Sequence, residues 1–163
     1  MGENALGKRR TRRLFVTSGM YNIGIGMSKT IEGKFKEIAH TADLALDVWG
    51  EDLWDLFRNA AQGLYALAGA VENKEETDRF DLRIPLGEEE QMLVDFLNEL
   101  LYLLDKKWVV RRVEGKKTEN GLRLSLDAAR LAGRSREIKA ATFHDLVLRK
   151  TEDGLRATIV FDV

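Results

Sequence analysis

The sequence contains no cysteine and only two histidines, His40 and His144. The absence of cysteine excludes disulfide bonds, zinc–thiolate centres and thiol nucleophiles. Two imidazoles provide few nitrogen ligands, so a metal bound by this chain is expected to sit among oxygen atoms. The candidate metal ligands in this sequence are therefore carboxylates.

Long apolar runs are also absent, since no stretch approaches the roughly 18 consecutive apolar residues that mark a membrane span. We therefore expect no transmembrane segment. The absence of cysteine is compatible with a cytoplasmic location, which we expect, but does not establish it. The 163 residues include 44% hydrophobic and 33% charged side chains, as in ordinary globular proteins. This length fits one domain with a core of its own.

The net charge of −1 is unevenly distributed along the chain. Residues 1–26 carry five basic side chains and one acidic side chain, a balance of +4, which leaves −5 for residues 27–163. Because the body is mildly acidic, we expect no direct nucleic-acid binding by the folded part.

Residues 1–26 show no amphipathic period and are predicted to be a disordered leader or an added extension, followed by a single domain at 27–163. The segment 11–16 superficially matches a twin-arginine export signal, but no apolar region follows it. A basic arm that contacts RNA remains an alternative for this stretch.

Hydrophobic spacing predicts both helices and strands in the body. Apolar residues recur at helical intervals over 52–70 and 88–105. Alternating patterns predict strands at 35–38, 44–48, 80–84, 108–113, 122–126, 142–150 and 155–161. The polar runs 72–78 and 128–137 are predicted to be loops. The expected fold class is α+β, a two-layer sandwich in which two helices pack on antiparallel sheet.

Three short polar motifs stand at the ends of predicted strands: 40–43 (HTAD), 137–144 (EIKAATFH) and the terminal 160–163 (VFDV). Each has an ordinary structural explanation, such as an Asx turn at Asp43 or a solvated chain end at Asp162. The two histidines suggest acid–base chemistry, but no nucleophile motif or glycine-rich phosphate loop accompanies them.

Sequence segments between residues 36 and 163 resemble, in order and at similar intervals, the motifs of the archease family. The segments are 36–44 (KEIAHTADL), Gly50 with the apolar positions of 53–61, 96–101 (FLNELL), 137–144 and 160–163. One departure is Phe143, where the family usually has tyrosine. Residues 1–26 lie outside the resemblance.

The resemblance implies an accessory protein rather than a catalyst. Proteins of this family assist the cytosolic tRNA-splicing ligase that joins RNA ends bearing a 2′,3′-cyclic phosphate or a 3′-phosphate. The implied role is to promote guanylylation of the ligase and so allow multiple turnover. The resemblance also implies a bound divalent metal, calcium, held by Asp43, Asp162 and the α-carboxylate of Val163.

Further site residues follow from the same motifs. Lys139 matches a family lysine associated with activity, and the remaining candidates would support the ligands or face the partner. These remaining candidates are His40, Thr41, Thr142 and His144. Carboxylates are the hard oxygen ligands that calcium takes, but the donor set alone does not distinguish calcium from magnesium or manganese.

Two other functions remain open at this stage. One is a chaperone-like modulator of a tRNA-modifying methyltransferase, a role also implied by the family. The other is a metal-dependent hydrolase built on Asp43, His144 and Asp162, although no water-activating base stands out beside these residues.

Overall fold

The chain was analysed as a computed structural model, which describes residues 20–24, 34–39 and 43–163. Side chains are not described for 20–24 or for residue 39. In chain order the described elements are β1 Met20–Gly24, β2 Phe35–Ala39, β3 Leu44–Gly50, α1 Leu53–Ala68, β4 Val71–Pro85, α2 Glu89–Asp105, β5 Trp108–Thr118, β6 Gly121–Gly133, β7 Ala140–Thr142, β8 Arg149–Thr151 and β9 Gly154–Asp162.

The described strands form two antiparallel sheets. One sheet has four strands in the order β1-β5-β6-β4. The other has five strands, ordered β2-β3-β9-β7, with β8 also pairing with β9. The five-stranded sheet therefore combines the early hairpin β2–β3 with the last strands of the chain, and β9 lies between them.

The two helices pack against both sheets. Helix α1 contacts β3, β2 and β9 of one sheet and β1 of the other, whereas α2 contacts β5 and β4 as well as β7. Phe57 of α1 stacks on Phe96 of α2 with ring centroids 5.3 Å apart, and both side chains are almost fully buried. Burying each such ring contributes about 1.5–3 kcal/mol. Gly63 allows α1 to approach β3, because a Cβ there would lie 2.3 Å from a methyl of Leu46.

The α+β class and both predicted helices are confirmed, and the strands are divided between two sheets. The predicted loop at 72–78 is wrong, because these residues belong to β4, whose pairing is irregular between Asn73 and Thr77. This strand lies at the edge of its sheet, where charged side chains are tolerated and hide the alternating pattern. The predicted loop at 128–137 is wrong for 128–133, which extend β6.

Two further differences concern the ends of the chain. Residues Met20–Gly24, within the stretch expected to be a disordered leader, form β1 and pair with β5, whereas 1–19 lie outside the described residues. The strand predicted at 142–150 is wrong for 143–148, and only its ends lie in strands, β7 and β8, which both pair with β9. No helix in the described ranges is long and apolar enough to cross a membrane.

Asp55 ties the start of α1 to the chain before β2. Its carboxylate accepts hydrogen bonds from Lys34 Nζ at 3.0 Å and from the Glu51 N–H at 2.9 Å, and it pairs with Arg58. Burial alone would raise the pKa of this carboxyl, but the Glu51 N–H and the two cations outweigh it and lower the pKa. Asp52 caps the same helix by accepting from the Asp55 N–H at 2.8 Å.

Replacing Asp55 with asparagine (Asp55→Asn) should destabilise the fold by about 1–3 kcal/mol at neutral pH, because charge-assisted hydrogen bonds are lost. A carboxyl with a lowered folded-state pKa stabilises the protein above its unfolded pKa, and this contribution disappears as the pH falls through the folded value. The gap between wild type and variant should therefore close below about pH 4 in urea unfolding series.

Asp81→Asn is the matched control, since Asp81 is exposed and forms no ion pair with any residue the structure describes. A gap of equal size for both variants, or one that persists in acid, would contradict the role of Asp55.

Candidate metal site at the end of the five-stranded sheet

Two of the predicted ligands lie at one end of the five-stranded sheet because of the pairing between β3 and β9. The last paired residues of these strands are Leu44 and Phe161. Asp43 directly precedes β3 and Asp162 is the final residue of β9, so continuing the antiparallel register by one residue sets the two aspartates opposite each other. Phe161 is fully buried, so by strand alternation Asp162 belongs to the opposite, exposed face.

Lys139 lies at the same end of the sheet, next to β7, the strand that pairs with β9 on its other side. It directly precedes β7, in which Ala140 pairs with Asp162. The Lys139 N–H donates to the main-chain oxygen of Asp162 at 2.8 Å, and its Nζ donates to the oxygen of Val163 at 3.2 Å. Four of the predicted residues, Asp43, Lys139, Asp162 and Val163, are thus placed together at the ends of three neighbouring strands.

Of the remaining candidates, Thr142 and His144 are not brought to this point. The Thr142 hydroxyl donates to the main-chain oxygen of Val160 at 3.0 Å and also accepts from the His144 N–H, so it stabilises the end of β7. His144 lies in the turn that follows, with its Nε2 3.3 Å from a carboxylate oxygen of its neighbour Asp145. His40 and Thr41 lie outside the described residues, and their predicted roles stay predictions.

An ion pair farther along the same two strands reinforces the alignment of β3 and β9. Asp47 is 9% exposed and accepts from Arg156 Nε at 3.0 Å, with a second contact from the same guanidinium. Asp47 raises the pKa of Arg156 through this hydrogen bond and its charge. Arg156 also lies over the ring of Trp49, 5.9 Å from its centroid. These contacts join the two strands that carry Asp43 and Asp162.

Asn98 of α2 has a positioning role that the sequence did not reveal. Its side-chain Oδ1 accepts from the Ala141 N–H at 2.8 Å, and its Nδ2 donates to the Ala141 carbonyl at 3.2 Å. One amide therefore satisfies both main-chain groups on the open edge of β7. Glu90, two turns earlier on α2, accepts from the Leu148 N–H at 3.1 Å. The signals in the sequence were its place in the family-like segment 96–101 and a polar side chain beside the apolar stripe of α2.

The donor chemistry at this sheet end fits a hard divalent cation. Asp43 and Asp162 supply carboxylate oxygens, and neither sulfur nor imidazole is among the described groups there. Within 20–24, 34–39 and 43–163, no three Asp, Glu or His side chains come together as a metal-binding group. A metal at this position needs another oxygen donor, and the hypothesis names the α-carboxylate of Val163 for that role.

Comparison with known proteins identifies the same family as the sequence motifs. The family model described as "Archease protein family (MTH1598/TM1083)" matches residues 35–163, which include every described element except β1. The chain belongs to the archease family. The match includes the four residues gathered at the sheet end.

Relatives cover most of this chain and nearly all of their own length. Protein archease of Methanosarcina acetivorans is 33% identical over 144 residues, with 80% of this chain and 96% of the relative aligned. Protein archease of Methanosarcina barkeri is 30% identical over 144 residues, covering 81% and 98%. The crystal structure of a Thermotoga maritima archease, described as a possible chaperone, is similar with a TM-score of 0.62 at 29% identity, covering 78% and 96%.

Asn98→Ala should loosen β7 without unfolding the helices, because it removes two hydrogen bonds to the strand. We expect a loss of about 1–3 kcal/mol in the free energy of unfolding. Amide hydrogen exchange should accelerate most at Ala141, which loses its acceptor, and at Lys139, whose N–H bonds depend on the position of β7.

Glu99→Ala changes the next residue of α2, which is exposed, and serves as the control. Unchanged exchange at Ala141 and Lys139 in Asn98→Ala would show that β7 does not depend on this amide.

Proposed function

We propose that this chain is an accessory protein that activates a tRNA-splicing RNA ligase of the 3′-phosphate or 2′,3′-cyclic-phosphate type. In this role it promotes guanylylation of the ligase and multiple turnover, and it does not catalyse ligation itself. Membership of the archease family supports the proposal, as does a group of carboxylates at an exposed sheet end.

The observation that carries the proposal is the meeting of Asp43, Asp162, Val163 and Lys139 at the ends of β3, β9 and β7. Asp162, Val163 and Lys139 are exposed, so this end of the sheet is accessible to another protein. Carboxylates held close together repel each other unless a cation lies among them. Lys139 provides one positive charge, and a bound divalent ion would provide the rest.

The divalent ion, calcium in the proposal, would be held by Asp43, Asp162 and the α-carboxylate of Val163. When bound, it supplies a concentrated positive charge at an otherwise acidic surface. The protein groups determine where that charge lies: β3 and β9 set the spacing of the aspartates, and the hydrogen bond from Lys139 orients the oxygen of Val163.

The functional prediction concerns the ligase. With GTP and broken RNA, a cognate ligase should perform many more turnovers and accumulate more guanylylated enzyme when this protein is added. Radiolabel transfer from GTP to the ligase measures the first step, and joined RNA measures turnover. Asp162→Asn should reduce both effects, whereas Asp153→Asn, the same change at the opposite end of β9, should not.

Unchanged ligase turnover with saturating wild-type protein would contradict the activator role. Equal ligase activation by Asp162→Asn and Asp153→Asn would instead show that the carboxylates at the sheet end take no part in activation.

The metal prediction is independent of the ligase. Asp43→Asn and Asp162→Asn should each weaken calcium binding in isothermal titration by at least about tenfold, since each removes a charged ligand. Calcium should raise the melting temperature of the wild type by mass action, and a chelator should reverse the rise. Asp153→Asn is again the control, and equal affinity of all three variants would rule out this site.

The alternative function is modulation of a tRNA-modifying methyltransferase. The Thermotoga maritima relative is described as a possible chaperone, which is compatible with either kind of partner. Pull-down from native lysate with wild type and Asp162→Asn distinguishes them. A ligase captured by the wild type alone supports the main proposal, and a methyltransferase captured by both proteins supports the alternative.

A further inference from the structure

A row of three cations crosses the outer face of the four-stranded sheet. Arg83 of β4 pairs with Arg123 of β6, and Arg123 pairs on its other side with Lys116 of β5. Directly paired residues of antiparallel strands project from the same face, so the three side chains lie side by side. All three residues are exposed. The row spans two inter-strand spacings, about 10 Å.

The row is not neutralised by the part of the protein that the structure describes. No ion pair or hydrogen bond within the described ranges involves any of the three side chains. Asp81, two residues before Arg83 on the same face, forms no ion pair with them. Like charges placed directly opposite each other in a sheet are destabilising, so this arrangement costs folding free energy.

Two neighbouring cations on the same face, Arg79 and Arg112, form ion pairs. Arg79 lies 3.2 Å from a carboxylate oxygen of Glu114 and 3.5 Å from one of Asp127, and Arg112 lies 2.6 Å from the other oxygen of Glu114. Cations in the middle of the sheet are therefore paired with acids, and those of the end row are not. This contrast suggests that the end row is available to an external anion.

A pocket adjoins the row at the end of the sheet. It has a volume of about 390 Å³ and is lined by Arg83 and Arg123, by Thr118 and Asn120 at the β5–β6 turn, and by the apolar residues Ile84, Pro85 and Leu122. Guanidinium groups present a planar fork of donors that matches the oxygens of phosphates and of carboxylates, and a lysine ammonium lacks this fork. An oxyanion is therefore the kind of ligand that this set of groups fits.

We propose that Arg83, Arg123 and Lys116 form a binding site for the phosphate backbone of single-stranded RNA. A line of three cations is longer than one phosphate group needs and suits successive phosphates along a strand. No exposed aromatic side chain lies in the row for base stacking, so binding is independent of sequence and sensitive to salt. The site is on the other sheet from the carboxylates and does not depend on ligase activation.

This proposal differs from the expectation drawn from net charge. A balance of −5 over residues 27–163 is an average over all faces, whereas the row concentrates three positive charges on one. Arg83, Lys116 and Arg123 lie far apart in sequence, so only the strand register brings them together.

The test is the fluorescence anisotropy of a short labelled single-stranded RNA with the full chain at a series of salt concentrations. The logarithm of affinity should fall with the logarithm of salt with a slope near −2, as about three phosphate contacts predict. Arg83→Gln and Arg123→Gln should each weaken binding about tenfold at low salt and reduce the slope by about 0.7. Neither variant should lower the melting temperature, because each relieves like-charge repulsion.

Arg149→Gln is the matched control, an exposed strand arginine of the other sheet, and should bind RNA like the wild type. A double Arg12→Gln, Arg13→Gln variant tests the basic leader. Loss of RNA binding in the leader variant with none in Arg83→Gln or Arg123→Gln would overturn the proposal. Competition by GTP or by polyglutamate as strong as that by unlabelled RNA would also overturn it, in favour of a nucleotide site or an acidic protein partner.

Discussion

The antiparallel pairing of β3 with β9 is the constraint on which the candidate metal site depends. It joins residues 44–50 to residues 155–161, more than a hundred positions apart in the chain. Leu46 and Ile159 lie opposite each other and are fully buried, and a slip of one residue would turn both away from the helices. The same register that buries this pair sets Asp43 against Asp162.

The helices contribute to the site through polar contacts as well as through packing. Strand β7 has only three residues and one strand partner, β9. Asn98 supplies the hydrogen bonds that a further strand would otherwise provide, and Lys139 is held immediately next to that anchored segment. Because α2 also packs against β4 and β5, the position of Lys139 is linked to the core between the two sheets.

Each sheet carries one group of like charges, and the two groups differ in sign. The five-stranded sheet gathers carboxylates at the end of β9, whereas the four-stranded sheet gathers cations at the end of β4 and β6. Some other charges on these sheets are paired, such as Asp47 with Arg156 and Arg79 with Glu114. Unpaired like charges cost folding free energy, and an external ion of opposite charge can offset that cost.

Much of the fold could be predicted from the sequence because one-sided burial leaves a periodic pattern. Leu44, Leu46 and Val48 alternate because only one side of β3 faces the helices, and α1 shows the corresponding helical period. The first half of β4 could not be predicted, since an edge strand carrying charges on both faces has no such alternation.

The residues of the candidate site could be named from the sequence for a different reason, and their arrangement could not. Asp43, Lys139, Asp162 and Val163 stand in family motifs, so resemblance identified them, but their meeting at one sheet end requires the register of three strands. Asn98 stands in a motif too, yet its role depends on which strand edge α2 covers. Arg83, Lys116 and Arg123 belong to no motif and become a group only through strand pairing.

The divalent metal that we propose lies among Asp43, Asp162 and the α-carboxylate of Val163. The most direct measurement is a calcium titration of the protein with Val163 converted to its C-terminal amide by semisynthesis, compared with the unmodified chain. This change removes one negative charge and leaves every side chain in place. We expect the calcium affinity to fall by at least about tenfold, while the melting temperature without calcium is nearly unchanged. Equal calcium affinity of the amide and the free acid would contradict it.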